Sequence, residues 1–352
     1  MAKRECSIFG RSVRKSYGFV VDLLDALFRK KIKSRFLYLE VTHRCNLQCI
    51  SCYTGAGREK QDTLTLEERK SVVRQAKAMG VRTVSLSGSG EPLLYPDLFT
   101  LIDYIRSLDM AVVVFTNGTL IDAQIAEFLL SRQVVTYVKL FSLDPVTVDH
   151  MVGRQNAYRW VDYNYCYEGA PRTVKIPLGI KHLLTAWQEH NKPALVKFEA
   201  LITRLNCAAL PDVARFCQEI GTGLYLETPV FTGLALEHYD ELALDRESYE
   251  VLYDRLVAIQ GREILEAARN ASCPVEKNAV VWTNGEVCFC SCRPASVGNV
   301  RERSLKGLYR QARKLKERED NCLEESDIHS RFFHRCRARQ FYEAHHGLPC
   351  EY

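Results

Sequence analysis

The sequence predicts an α/β protein built on a partial (β/α)6 TIM-like barrel, with a cysteine-rich extension towards its C-terminal end. Three observations carry this expectation. Strand-like and helix-like segments alternate from residue 36 to residue 230. The strand segments are apolar runs, not apolar–polar alternations, as in a parallel sheet covered by helices. The chemically distinctive residues recur just after strand ends, where barrel folds build their sites. The 352 residues suffice for one large domain and an appendage. The expected divisions are an N-terminal helical segment over 1–35, the barrel over 36–235 and the extension over 236–352.

Each element has a local reason. "FLYLEVT" (36–42) is apolar and β-branched and reads as the first strand. Thr65 and Glu68 have the spacing of a capping box; Val72, Val73, Ala76 and Met79 form an apolar helical stripe, and Gly80 stops it. "TVSLSG" (83–88) is the second strand, and 96–108 the next helix. "AVVVFTNG" (111–118) ends in a turn signal, and 122–131 is helical. "YVKLFSLD" (137–144) is the fourth strand. Residues 145–195 are less regular and are expected to hold one α/β unit with insertions. Strand 196–203, helix 210–221 and strand 224–230 resume the rhythm. About six such units suit an open barrel better than a small doubly wound sheet.

Composition narrows the function. The 48 basic and 43 acidic residues leave a formal charge of +5, too balanced to point to nucleic acid. There is no signal-peptide h-region and no apolar run of about 18 residues, so a cytoplasmic protein without a membrane span is expected. The N-terminal stretch 18–36 carries an apolar stripe and a basic end; it is expected to pack on the barrel. Fourteen cysteines in a reducing compartment point to metal binding before disulfides. Cys166, Cys207 and Cys217 are expected to be packing thiols.

The functional residues cluster after successive strands. Cys45, Cys49 and Cys52 follow the first strand, Gly88 to Pro92 the second, Thr116–Asn117 the third, and Ser142 and Asp144 the fourth. Three thiols without a close fourth do not close a structural zinc site, which takes four ligands. They suggest a metal centre with one open position.

These residues resemble a known family. Cys45, Cys49 and Cys52 match the CxxxCxxC signature of radical S-adenosylmethionine (SAM) enzymes, and "SGEP" (89–92) resembles that family's GGEP motif. "SLDPVTVDHMVGR" (142–154) and the stretch from Ile202 to Gly221 look like the fourth-strand and fifth-strand segments of its SPASM/twitch branch. The resemblance implies a [4Fe–4S] cluster on the three thiolates, with SAM on the fourth iron. Reductive cleavage would then give a 5′-deoxyadenosyl radical. It implies SAM contacts from Tyr53, Gly88, Ser89, Gly90, Glu91, Asn117, Ser142 and Arg154. Glu91 would accept from the methionine ammonium, and Arg154 would pair with the carboxylate. Two positions depart from the pattern: Ser51 stands where an aromatic residue is common, and Ser89 where glycine is usual.

Beyond residue 236 the pattern changes. Residues 238–270 read as helix. "CPVEKNAVVWTNGEVCFCSC" (273–292), with a hairpin at Asn284–Gly285, resembles the opening of a SPASM or twitch extension, and 296–309 resembles the next part of such an extension. Extensions of this type hold an auxiliary iron–sulfur cluster. One auxiliary [4Fe–4S] cluster on Cys273, Cys290, Cys322 and Cys336 is expected, with Cys288, Cys292 and Cys350 as alternates. The period of two puts Cys288, Cys290 and Cys292 on one side of a strand.

The functional expectation is a radical SAM oxidoreductase or maturase-type enzyme that abstracts hydrogen from a carbon of a small polar metabolite, of sugar or aminocyclitol type, or of a peptide. The outcome would be oxidation, epimerisation or cross-linking. Peptide-modifying relatives often carry a leader-recognition domain longer than the 35 residues before the first strand; this tilts the expectation towards a small molecule, with peptide maturation as the alternative. A non-catalytic iron–sulfur redox protein is a further alternative. An electron donor such as flavodoxin or ferredoxin is the implied partner.

Overall fold

The computed structural model describes residues 35–57, 62–191, 195–261, 279–290 and 293–320. Six strands form its centre: β1 (Arg35–Leu39), β2 (Val81–Leu86), β3 (Ala111–Thr116), β4 (Val135–Lys139), β7 (Val196–Leu201) and β8 (Leu224–Glu227). They lie in the order β1-β2-β3-β4-β7-β8, each parallel to the next. Parallel neighbours need crossovers, and helices supply them: α1 (Leu66–Ala78), α2 (Leu98–Ser107), α3 (Ala123–Ser131), α4 (Pro145–Met151), α5 (Leu178–His190) and α6 (Leu210–Ile220). This is the sixfold parallel unit that the sequence predicts.

The two faces of the sheet differ. Val84, Leu86, Val112, Val114, Val138 and Phe198 are fully buried against helix residues such as Leu101, Ile102, Ile105, Leu129 and Leu183. At about 25 cal/mol per Å2 of apolar surface, this face is the main source of stability. The alternate positions carry Phe115, Tyr137, Lys139, Lys197, Glu199, Tyr225 and Glu227, which register brings side by side. Phe115 stacks on Tyr137 at 4.6 Å, and Tyr137 meets Tyr225 edge-on at 6.1 Å. Closed barrels are filled by branched aliphatics; this lumen is lined by rings and charges.

Helix ends obey local chemistry. Thr65 and Glu68 make the reciprocal capping box at α1, and Asp122 and Asp144 cap α3 and α4. Gly221 ends α6 in the left-handed region at φ +78°.

Residues 145–195 differ from expectation. After α4 the chain forms an antiparallel hairpin, β5 (Trp160–Tyr167) with β6 (Ala170–Pro177), as a separate two-stranded sheet. Glu168 and Gly169 both have positive φ, +52° and +80°, the conformation that closes a two-residue hairpin. "WVDYNYCY" alternates polar and apolar residues, which suits a hairpin and not a barrel strand.

The helix expected from residue 238 is broken. α7 (Leu234–Glu237) and α8 (Tyr239–Leu242) precede α9 (Arg246–Gln260), which starts where the Asp245 side chain accepts from the Ser248 N–H. The Asn284–Gly285 hairpin forms between β9 (Ala279–Val281) and β10 (Glu286–Cys290), followed by β11 (Arg293–Asn299) and α10 (Leu305–Asp320). β9 joins β1 in parallel, so the three strands extend the barrel sheet to nine strands. Arg301 fastens this unit to α1: its guanidinium donates to both carboxylate oxygens of Glu68, at 2.6 and 3.0 Å. The N-terminal segment 1–34 lies outside the described residues.

Candidate active site

The loop after β1 carries Cys45, Cys49 and Cys52 and is held from four sides. The Cys52 N–H donates to the Cys49 carbonyl at 2.9 Å, which tightens the turn. From the β2 side, the Glu91 N–H donates to the Arg44 carbonyl, and Thr54 donates to the Ser89 carbonyl at 3.0 Å. Two loop N–H groups, of Gln48 and Ile50, donate to the Val152 and Met151 carbonyls at the end of α4. Beyond β8, Thr232 donates to the Tyr53 carbonyl at 2.7 Å and the Ala235 N–H to that of Cys52. Asn46 adds the β3 side: its side chain accepts from Asn117 and donates to Thr119. The thiols therefore sit over the C-terminal ends of the barrel strands.

Two glycines permit this closeness. A Cβ on Gly90 would lie 2.4 Å from the Arg44 carbonyl oxygen, and one on Gly153 2.2 Å from that of Gln48. Gly153 also holds φ at +64°, which favours glycine.

Neighbouring thiols add to the proton affinity of Cys45 and Cys49. Burial, then the neighbouring thiols Cys52 and Cys45, push Cys49 up to about 12. Burial also raises Cys45, with Glu91 and Cys52 adding to it. Without a cation this is a poor place for three thiolates. A cluster that supplies iron to each would reverse that. Among the described residues no three His, Cys, Asp or Glu side chains are gathered to hold a single metal ion. A cubane does not require such convergence, because each thiolate binds a different iron. The donor set, thiols only and one short of four, fits the cluster.

The other expected residues gather around this loop. Glu91 is buried, and its carboxylate accepts from Thr116 Oγ1 (2.7 Å), the Asn117 N–H (2.7 Å) and the Leu93 N–H (3.1 Å). Burial raises its pKa and these hydrogen bonds oppose the rise. It thus ties the turn after β2 to the end of β3. Three of the four lone-pair positions of an ionised carboxylate are filled, and one remains. Asn117 accepts from Thr119 at its side chain and from the Tyr158 hydroxyl at its carbonyl, at 2.9 Å. Ser142 is fully buried and accepts from the Asp144 N–H, so it shapes the start of α4. Arg154 is exposed and donates to the Asn46 carbonyl at 3.0 Å. Gly88, at φ +124°, lies against the Glu40 side chain. Ser89 donates to the buried Glu40 carboxylate at 2.8 Å, so its replacement of glycine brings a buried hydrogen bond. Tyr53 follows the third thiol and is half-buried.

Sequence reasoning missed Asn46, Thr119, Tyr158 and Asn206. Asn206 is fully buried and donates to the Phe141 and Leu201 carbonyls, joining the ends of β4 and β7. Tyr158 is raised well above its ordinary pKa by burial and by the thiols and Glu91 nearby. The only available signal was an Asn directly after a strand or a ligand, in turns where backbone groups need partners.

Of the auxiliary ligands, Cys273, Cys292, Cys322, Cys336 and Cys350 lie outside the described residues. Cys288 is buried in β10, and Cys290 ends that strand. The pairing of β10 with β11 shifts register between them. From Cys288 to Cys290 two residues of β10 face three of β11, so the extra residue lies on β11. Cys217 is buried, a packing thiol as expected, whereas Cys166 is disulfide-bonded and Cys207 is only half-buried.

Comparison with known proteins defines the class. Residues 39–163 match the Radical SAM superfamily model. Mycofactocin maturase MftC of Mycobacterium ulcerans is 26% identical over 226 residues, 64% of this chain and 55% of that protein. The chain thus spans about half the length of the curated relative it matches. The antilisterial bacteriocin subtilosin biosynthesis protein AlbA of Bacillus subtilis is 31% identical over 121 residues, 34% of this chain and 27% of that protein. SuiB of Streptococcus suis, solved bound to S-adenosylmethionine, shares the fold at a TM-score of 0.59 and 18% identity, covering 82% of this chain and 70% of SuiB. Among the described residues no helix is long and apolar enough to cross a membrane.

Proposed function

We propose that this chain is a radical SAM enzyme that modifies a peptide. The observation that carries the reading is the cysteine loop, fixed over the strand ends with three thiols and, among the described residues, no fourth. Cys45, Cys49 and Cys52 would hold a [4Fe–4S] cluster. Bound there with SAM, it supplies one-electron cleavage of SAM and a carbon radical able to abstract hydrogen. The protein's part is positioning. Glu91 fixes the strand-end turns and keeps one acceptor position for the methionine ammonium. Arg154 supports the loop through Asn46 and offers its remaining N–H groups to the methionine carboxylate. Ser142, Asn117, Tyr53 and the Gly88–Gly90 turn complete the SAM contacts. Cys273, Cys290, Cys322 and Cys336 would hold one auxiliary cluster, and a flavodoxin or ferredoxin would deliver the electron.

A peptide substrate is favoured over the sugar or aminocyclitol that the short N-terminal stretch suggested. Its support is the company the chain keeps: a mycofactocin maturase, a bacteriocin biosynthesis protein, and SuiB, also solved with its precursor peptide SuiA.

Anaerobic reconstitution tests the first part. Wild type should form 5′-deoxyadenosine from SAM with dithionite. The triple variant Cys45→Ala, Cys49→Ala, Cys52→Ala should lose this activity and about four irons per chain. Retained 5′-deoxyadenosine in the triple variant defeats the assignment. For the substrate, a short peptide encoded beside the gene should change mass with enzyme and SAM; turnover of an aminocyclitol with no change in the peptide would restore the other reading.

A further inference from the structure

The upper lumen of the barrel holds charge that SAM cleavage does not use. Lys139 ends β4 opposite Glu199 of β7, Glu199 faces Tyr225 of β8, and Glu227 stands two residues further on. Lys139 Nζ donates to Glu199 Oε1 at 2.5 Å, with the two side chains 28% and 4% exposed. The other carboxylate oxygen, Glu199 Oε2, is buried and receives no hydrogen bond. The group beside it is the Glu227 carboxyl, which accepts from Tyr225 and, when protonated, lies within hydrogen-bond reach of Glu199. Burial first, and the Glu199 charge second, push Glu227 up to about 7. Two carboxylates therefore share one ammonium. Burial works against the Lys139 charge, but Glu199 and Glu227 outweigh it and hold the lysine protonated. Cys49 of the thiol loop acts on Lys139 in the same direction, and Tyr38 of β1 acts on Tyr225, so these groups close the cluster's surroundings.

With Glu227 ionised, two carboxylates face the single Lys139 ammonium. A buried carboxylate oxygen without a donor is costly. A group that repairs the cluster must bring positive charge and several N–H donors. The ring walls of Tyr137 and Tyr225 below suit such a group, since aromatic faces attract cations. Lys197 already places its Nζ 5.6 Å from the Tyr137 ring centre.

We propose that Glu199 and Glu227 form a subsite for a cationic nitrogen group of the substrate, an ammonium or guanidinium such as a lysine or arginine side chain carries. This rests on reading the barrel mouth as the face that meets a peptide. It assigns Lys139 to hold Glu199 in place, and Tyr225 to hold Glu227.

The test uses the full chain with its clusters reconstituted and saturation-transfer NMR on small probes. n-Butylammonium and methylguanidinium should bind, and neutral 1-butanol at least about tenfold more weakly. Glu199→Gln and Glu227→Gln should each weaken the cations by about tenfold or more, the range of a charged hydrogen bond. Should one variant not fold, the other and the wild-type selectivity decide. Equal binding of 1-butanol, or undiminished cation binding in the folded variants, overturns the subsite. Competitive displacement of n-butylammonium by SAM would assign the carboxylates to SAM and likewise overturn it. 5′-Deoxyadenosine measured on the same samples keeps the readings apart. Its absence would strike the SAM assignment alone, and its presence without cation selectivity would strike the subsite alone.

Discussion

Gly90→Ala separates close approach from backbone strain. Gly90 lies outside the left-handed region, so alanine can adopt its conformation. The obstacle is the thiol loop: the new Cβ would lie 2.4 Å from the Arg44 carbonyl oxygen, 2.7 Å from that of Thr42 and 2.8 Å from the His43 carbonyl carbon. Ordinary contact begins at 3.4 Å, so the loop must retreat by about 1 Å. All three atoms are backbone, and no rotamer relieves them. Overpacking of this kind costs about 1–3 kcal/mol. The 2.9 Å bond from the Glu91 N–H to the Arg44 carbonyl would be stretched, at about 1 kcal/mol more. The expected loss is about 2–4 kcal/mol in urea unfolding. A displacement of about 1 Å at reacting groups can lower the rate about a hundredfold, so 5′-deoxyadenosine formation should fall far more than stability. Two glycines serve as controls. Gly80 has φ +84° and open space, so Gly80→Ala should cost only the strain, about 1 kcal/mol. Gly223 has open space and ordinary φ, so Gly223→Ala should be neutral or slightly stabilising. Wild-type iron content, melting temperature and SAM cleavage in Gly90→Ala would refute the reasoning.

Other outcomes depend on single contacts. Arg154→Ala should keep wild-type iron content and bind SAM about ten- to a hundredfold more weakly, since a charged hydrogen bond contributes about 1.5–3 kcal/mol; calorimetric titration with SAM reads this, and unchanged binding would show the fourth-strand segment misassigned. Glu68 is held at about 2, first by Arg301 and then by the Thr65 N–H. Its contribution is present above its unfolded pKa and lost as pH falls through about 2. Glu68→Gln should therefore flatten the decline of stability from pH 4.5 towards 2; at one-third exposure the effect is about 1 kcal/mol. Glu227, raised to about 7, has the opposite sign. Its contribution is full below the unfolded carboxylate range and lost as pH rises through 7, so Glu227→Gln should remove a fall in stability between pH 5 and 8, followed by urea midpoints. Cys273→Ala with Cys290→Ala should remove the auxiliary cluster's paramagnetic resonance signal and leave SAM cleavage; retention of both signals would discard those ligands.

The barrel was legible because its signals are local and repeated. Capping at Thr65 and Glu68, Gly80 after α1 and the apolar runs of β2 and β3 each specify an element without help from distant residues. The thiol loop was legible because three cysteines at fixed spacing carry chemistry in their identity. The β5–β6 hairpin was not, because the cue that sets it, positive φ at both Glu168 and Gly169, rests on a glutamate that normally avoids it. The extra residues that β11 sets against β10 were hidden for a similar reason. A period of two holds only while pairing is regular, and the register shift against β11 depends on a partner strand.

The charged residues of the barrel lumen were hidden by a different cause. Lys139, Glu199, Tyr225 and Glu227 come from three strands separated by helices and a hairpin. Each sits singly in an apolar run, where it reads as an imperfection of the strand. Only the order β4-β7-β8 and the pairing of Lys139 with Glu199 bring them together. Glu91 likewise has partners that its own segment does not reveal. Its motif suggests SAM, yet its carboxylate first joins β2 to β3 through Thr116 and Asn117. Removing it would disturb the loop before it disturbed the ligand. Glu91→Gln is therefore the more informative change. An amide keeps one oxygen acceptor and replaces the other by an NH2 that faces a donor. If the new amide nitrogen takes the Oε2 position, it must meet the Asn117 N–H, and that turn should loosen. If it takes the Oε1 position, it faces the Leu93 N–H and the Thr116 hydroxyl, and only the hydroxyl can turn to accept. Either way a buried N–H loses its acceptor, at about 1–3 kcal/mol. Iron loading should therefore fall together with SAM affinity, in contrast to Arg154→Ala, and full iron loading with lost SAM binding would show that Glu91 serves the ligand and not the loop.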